Sequence, residues 1–158
     1  MRWKTPRRLG LTLVSPFDDP AIIAGQGVIG LELLDELPEL DTAIVPLSGG
    51  GLIAGIAVAL KSRRPEMRVI GVSMARGAVM HASLMAGKPV QLPEEKTLAD
   101  SLMGGIGLEN RHTFGLVRDW VDEIVLLTEE EIAAAMEYAL RTEHLVVEGG
   151  GAVGLGAL

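Results

Sequence analysis

Cysteine is absent, which excludes a disulfide framework and any thiolate metal site. The histidines, His81, His112 and His144, are scattered, and no metal site is expected. No apolar run approaches the roughly 20 residues that span a bilayer, so no membrane partner is expected. Residues Met1–Arg8 are basic, but no signal-type apolar stretch follows them, and a cytoplasmic protein is the expectation. Positive charge is scarce overall. The formal net charge is −7, which speaks against general nucleic-acid binding. Aromatic residues make up only 3% against 20 glycines, so small residues must bring helices close to a sheet.

What remains suffices for one folded domain. The 158 residues are 48% apolar and 22% charged, a balance that buries a core and excludes a disordered chain. The most pointed stretch is Ser48-Gly49-Gly50-Gly51-Leu52. An apolar run, Thr42–Leu47, leads in, and a helix-like run, Leu52–Leu60, leads out. Strand, tri-glycine turn and helix build a cup for an anion. Backbone N–H groups converge where no Cβ intervenes, and the helix start turns its positive end to the same point. Ser48 adds a hydroxyl. A plain tight turn is the other reading of these residues. A nucleoside-triphosphate loop is not, because Leu52-Ile53 stands where Lys-Ser/Thr is required.

In chain order, Leu11–Val14 is expected as a short strand. Asp19 caps a helix over Ala21–Leu37, with Pro20 in its first turn and Pro38 at its end. Gly25-Gln26-Gly27-Val28-Ile29-Gly30 matches the dinucleotide pattern, but it falls inside that helix rather than in a strand-to-helix turn. Its glycines are read as close-packing positions. After the cup come a helix from Leu52 to Ser62, a strand over Arg68–Val72 and a helix over Ala75–Ala86. Thr97–Gly107 is irregular, rich in small residues and suited to lining a site. A helix over Arg111–Val121 and a strand over Glu123–Leu127 follow. Thr128 with Glu131 forms a capping box for a helix to Glu143, whose inner face is Ile132, Met136 and Leu140. Alternating strands and helices predict an α/β fold with a parallel sheet, whose ligands sit at the carboxyl ends of the strands.

The order of motifs says more than any one of them. Pro16-Phe17-Asp18-Asp19-Pro20, Gly25-Gln26-Gly27 and Ser48–Leu52 come first. Val69–Val72, Thr97-Leu98-Ala99-Asp100-Ser101, Val121–Val125 and Glu148-Gly149-Gly150-Gly151-Ala152 follow. This order resembles the fold-type-II pyridoxal-phosphate enzymes of the threonine/serine dehydratase and serine racemase group. Met74–Ser83 and Ala99–Thr113 are most similar to the hydroxyectoine-utilisation dehydratases. The resemblance implies a partial parallel sheet with flanking helices, half of the family's large domain. Residues 1–10 would be a lead, and 11–158 the C-terminal part of the catalytic domain, cut at both ends.

By that resemblance Ser48, Gly49, Gly50, Gly51 and Leu52 hold the phosphate of pyridoxal 5'-phosphate. Glu148 either lies near its ring or is a solvent-facing acid at a helix start. The implied reaction is an α,β-elimination on a small hydroxy amino acid, with the ring as electron sink, giving a keto acid and ammonia. The family's Schiff-base lysine lies in a Ser-Phe/Tyr-Lys motif. Here Lys4, Lys61, Lys88 and Lys96 all lack that context, so no catalytic residue is assigned and the isolated chain is expected to be inactive. The family's asparagine at the ring hydroxyl is missing, and the partner of the pyridine nitrogen would lie beyond Leu158. Ser73 and Val79 stand where some relatives place a cation-binding glutamate and aspartate, so no metal is expected. The alternative is a non-catalytic phosphate- or cofactor-binding α/β module or relic. Apolar faces on Ala21–Leu37 and Val146–Leu158 predict self-association, in line with the family's oligomers.

Overall fold

The structure is a computed structural model that describes residues 10–158. The expected lead, residues 1–10, lies outside the described residues except for Gly10. Helix α1 spans Pro20–Glu36, and the Asp19 carboxylate accepts from the amides of Ala21 (2.8 Å) and Ile22 (3.4 Å) at its start. Strand β1 (Thr42–Pro46), helix α2 (Gly51–Arg63) and strand β2 (Arg68–Met74) follow. Next come α3 (Val79–Ala86), a 3-10 turn at Asp100–Leu102, α4 (Thr113–Trp120) and β3 (Glu123–Leu127). Two helices end the chain, α5 (Glu129–Arg141) and α6 (Gly149–Gly156).

The strands form a parallel sheet in the order β1-β2-β3, with Ala43 opposite Val69 and Gly71 opposite Ile124. Its strands are apolar on both faces, as a sheet covered twice requires. Ala43, Val45, Leu47 and Val69 face one core, filled by Ile53, Ile56 and Leu60 of α2 and Val117 of α4. Val72, Met74 and Leu127 face the other, filled by Ile132 of α5 and Val153 of α6. The fold is therefore the expected α/β arrangement, three parallel strands between helices.

Small residues set the approach of α1 to α2. A Cβ on Gly30 would come within 2.9 Å of the Ala59 methyl, and one on Gly55 would overlap the carbonyl oxygen of Ile23. Gly27 and Gly30 are thus packing residues, as expected, whereas Gly25 meets nothing within 4 Å. Helix α1 is buried only along Ile23, Gly27 and Gly30, and Val28, Leu31 and Leu37 stay exposed.

Four local expectations need correction. Leu11–Val14 forms no strand and is exposed. Helix α3 begins at Val79, not Ala75, because Gly77 turns the chain with φ +63°. Helix α4 begins at Thr113, not Arg111, because His112 is non-helical (φ −126°, ψ −59°). On α5 the buried residues are Ile132, Ala135 and Ala139, while Leu140 is 55% exposed. Two alanines, which no hydrophobic stripe of large residues reveals, take the inner face because α6 packs close to it; a Cβ on Gly156 would come 3.3 Å from that of Ala135. The capping box on α5 is formed as expected, with Glu131 Oε2 accepting from the Thr128 amide at 2.8 Å.

Candidate functional site

The tri-glycine turn sits at the carboxyl end of β1, where an open parallel sheet offers its ligand crevice. Gly50 is the residue before α2 and has φ +90°, a left-handed conformation that costs a side chain dearly. The first helical bond of α2 runs from the Ala54 amide to the Gly50 carbonyl (2.9 Å). The N–H groups of Gly50, Gly51, Leu52 and Ile53 therefore have no intrahelical acceptor. They define the positive end of α2.

A cleft of about 300 Å³ opens over this turn, lined by Ser48, Gly49, Gly50, Gly51 and Leu52. Pro16, Phe17, Gln26, Pro46, Ser101 and Leu102 complete its walls. Among the described residues no charged side chain lines it. An anion held here would be held by amides and by the helix end. The Ser48 hydroxyl donates to the Leu102 carbonyl (2.9 Å), so it ties the turn to the 3-10 segment rather than pointing free into the cleft.

Glu148 does not line the cleft. Its Oε2 accepts from the Gly150 amide (2.7 Å), which makes it the cap of α6. Its Oε1 accepts from the Ser101 hydroxyl (3.0 Å), and Ser101 does line the cleft. The structure thus shows Glu148 as the acid at the start of α6, bonded to a residue of the cleft wall.

Lys61 is far from the turn. It lies about ten residues along α2, roughly 15 Å from the turn at 1.5 Å per residue, and its Nζ binds Asp122 Oδ1 at 2.6 Å. Burial would raise the Asp122 carboxyl. The Lys61 ammonium and the Val69 amide (2.7 Å) outweigh burial and hold it below the usual aspartate range. Lys88 and Lys96 are exposed and line no part of the cleft. Lys4 lies outside the described residues.

Sequence reasoning left Phe17 and Asp18 without a role. Phe17 packs against the cup: a Cβ on Gly49 would overlap its ring, and one on Gly51 would come 2.9 Å from its Cα. Behind Gly50 stand Met80, Val117 and Thr113, at 2.9, 3.0 and 3.1 Å from a Cβ placed there. Asp18 Oδ1 accepts from the amides of His112 (2.8 Å) and Thr113 (3.0 Å), and Oδ2 from that of Arg111 (2.8 Å). The available signal was two adjacent aspartates, since a single helix start needs only one.

Comparison with known proteins agrees with this architecture. Residues 6–158 match the family described as pyridoxal-phosphate dependent enzyme. A putative threonine dehydratase of Sinorhizobium fredii is 52% identical over 149 residues, 94% of this chain and 45% of that protein. The serine racemase of Arabidopsis thaliana is 41% identical over 155 residues, 98% of this chain and 46% of that protein. Maize serine racemase superposes with a TM-score of 0.89 at 38% identity, covering 96% of this chain and 46% of that one. The chain spans about half the length of the curated relatives it matches. With its parallel sheet and glycine cup, it belongs to the fold-type-II pyridoxal-phosphate-dependent enzymes, in the threonine dehydratase and serine racemase group.

Proposed function

We propose that this chain supplies the phosphate-holding part of a pyridoxal-phosphate-dependent ammonia-lyase acting on a small hydroxy amino acid, and that alone it binds the cofactor without turnover. One observation carries the reading: the glycine cup at the end of β1, where Gly50, Gly51 and Leu52, whose amides have no intrahelical acceptor, line a cleft of about 300 Å³. A mononegative or dinegative phosphate fits amides and a helix end without a charged side chain. Ser48, Gly49, Gly50, Gly51 and Leu52 are its holders. Glu148 acts through Ser101, by keeping the opposite wall in place.

When bound, pyridoxal phosphate supplies the electron sink for loss of the α-proton, toward a keto acid and ammonia. The chain's own residues bind and orient the phosphate end. Among the described residues no lysine lines the cleft, so the group that carries the cofactor and moves the proton is not found there. That same observation favours the second reading, a non-catalytic cofactor-binding module. A role in hydroxyectoine degradation rests on the resemblance of Met74–Ser83 and Ala99–Thr113; the relatives compared are threonine dehydratase and serine racemase, and they lend it no support. Residues 11–158 are read as part of the cofactor-binding catalytic domain. Exposed apolar residues on α1 and near Val146 support self-association.

Titration of the purified chain with pyridoxal phosphate, followed by absorbance, borohydride reduction and mass analysis, tests this. Saturable binding without a reduced lysine adduct, lost in Gly50→Asp, is expected. A specific adduct on one lysine refutes the inactivity of the isolated chain, and absence of binding refutes the cofactor reading.

A further inference from the structure

Two adjacent aspartates cap two different helices. Asp19 caps α1, its own neighbour in sequence. Asp18 reaches across the fold to α4, more than 90 residues on, and takes the amides of Arg111, His112 and Thr113. His112, the residue before α4, contributes no side-chain cap of its own. Asn110 Oδ1 takes the next amide, that of Phe114, at 2.9 Å. The start of α4 is therefore closed by side chains from outside the helix, and Asp18 accepts most of those bonds.

The consequence reaches the cup. Phe17, bonded to Asp18, packs against Gly49 and Gly51 on one side. Thr113 and Val117 of α4 pack against Gly50 on the other. The cup's backbone is thus held between two bodies, and the Asp18 carboxylate fastens those bodies together. Ser15 adds rigidity from behind, since its hydroxyl oxygen accepts the Asp18 amide at 2.9 Å. Ser15, Asp18 and Thr113 do not line the cleft. Their effect is on the spacing of the residues that do.

We propose that Asp18 is a positioning residue for phosphate binding, clamping Phe17 and the start of α4 on either side of the glycine cup. This rests on the cofactor reading given above. Losing the clamp lets Phe17 and α4 move apart, and the amides of Gly50, Gly51 and Leu52 lose their common aim. In Asp18→Asn one carboxylate oxygen becomes an NH2 group. Either the Arg111 amide or the pair at His112 and Thr113 then faces a donor instead of an acceptor.

The test compares wild type, Asp18→Asn and Thr128→Ala. Thr128→Ala removes a helix cap on α5, outside the cleft, and controls for stability alone. Each protein is titrated with pyridoxal phosphate and with pyridoxal, which lacks the phosphate, and melted thermally. We expect both variants to melt earlier. Only Asp18→Asn should bind pyridoxal phosphate about tenfold more weakly, the scale of a lost charge-assisted bond, with pyridoxal binding unchanged. Equal affinity in wild type and Asp18→Asn overturns the clamp while leaving the cofactor reading intact. An equal loss in Thr128→Ala overturns it too. Failure of wild type to bind overturns both. If Asp18→Asn does not fold, hydrogen exchange on wild type decides: pyridoxal phosphate should slow exchange at the Arg111–Thr113 amides, and unchanged exchange there rejects the clamp.

Discussion

Gly50 has both kinds of constraint that a single residue can carry. Its φ of +90° penalises any side chain, and a Cβ would press on Met80, Val117 and Thr113. Gly50→Ala should therefore cost stability, about 1–3 kcal/mol from strain and overpacking, measurable by urea unfolding. Asp18 has an acid-dependent effect. Burial would raise its carboxyl, but the amides of Arg111, Thr113 and His112 and the nearby His112 ring outweigh that and hold it below the ordinary 3.8. A carboxyl lowered by folding stabilises the fold above its unfolded value, and the stabilisation vanishes as pH falls through the folded value. The melting temperature of wild type should thus fall more steeply below about pH 3.8 than that of Asp18→Asn. Identical acid limbs in the two proteins would show that the amides do not stabilise the charge.

Helix α1 shows how one element mixes two kinds of glycine. Gly55 on α2 receives α1 so closely that a Cβ would overlap the Ile23 carbonyl, and Gly30 on α1 is nearly as crowded. Gly55→Ala should destabilise by about 2 kcal/mol or more through overpacking. Gly25 lies in the same helix and meets nothing, so Gly25→Ala should stabilise by roughly 0.5–1 kcal/mol through lower backbone entropy in the unfolded chain. Opposite signs for these two alanines, read by thermal or denaturant melting, check the packing directly. Thr128→Ala removes a capping box and should cost about 1 kcal/mol. The element boundaries that sequence misjudged are also contact effects. His112 leaves the helical conformation where Asp18 crosses the start of α4, and Ala139 is buried where Leu140 is 55% exposed.

At the scale of the whole molecule, apolar surface is left open. Val146 is 90% and Leu158 91% exposed, and Leu11, Leu13 and Val14 each exceed half. Among the described residues no helix is long and apolar enough to cross a membrane. Such surface in water favours association. Sedimentation of the purified chain should show concentration-dependent dimers or larger species, whereas a monomer up to high concentration contradicts the proposal. The parallel sheet, the helices around it and the position of the cup were legible in the sequence, because apolar runs, proline, glycine and helix caps act on near neighbours. The tri-glycine turn was legible for the same reason, since its strand, glycines and helix are neighbours in the chain. Only the tertiary structure decided that Asp18 caps α4, that Phe17 backs the glycines, that the Ser48 hydroxyl donates a hydrogen bond to the Leu102 carbonyl and that Glu148 reaches the cleft through Ser101. Each of these joins residues far apart in the chain, and local pattern has no means of recording a bond whose two ends meet only after the sheet has brought them together.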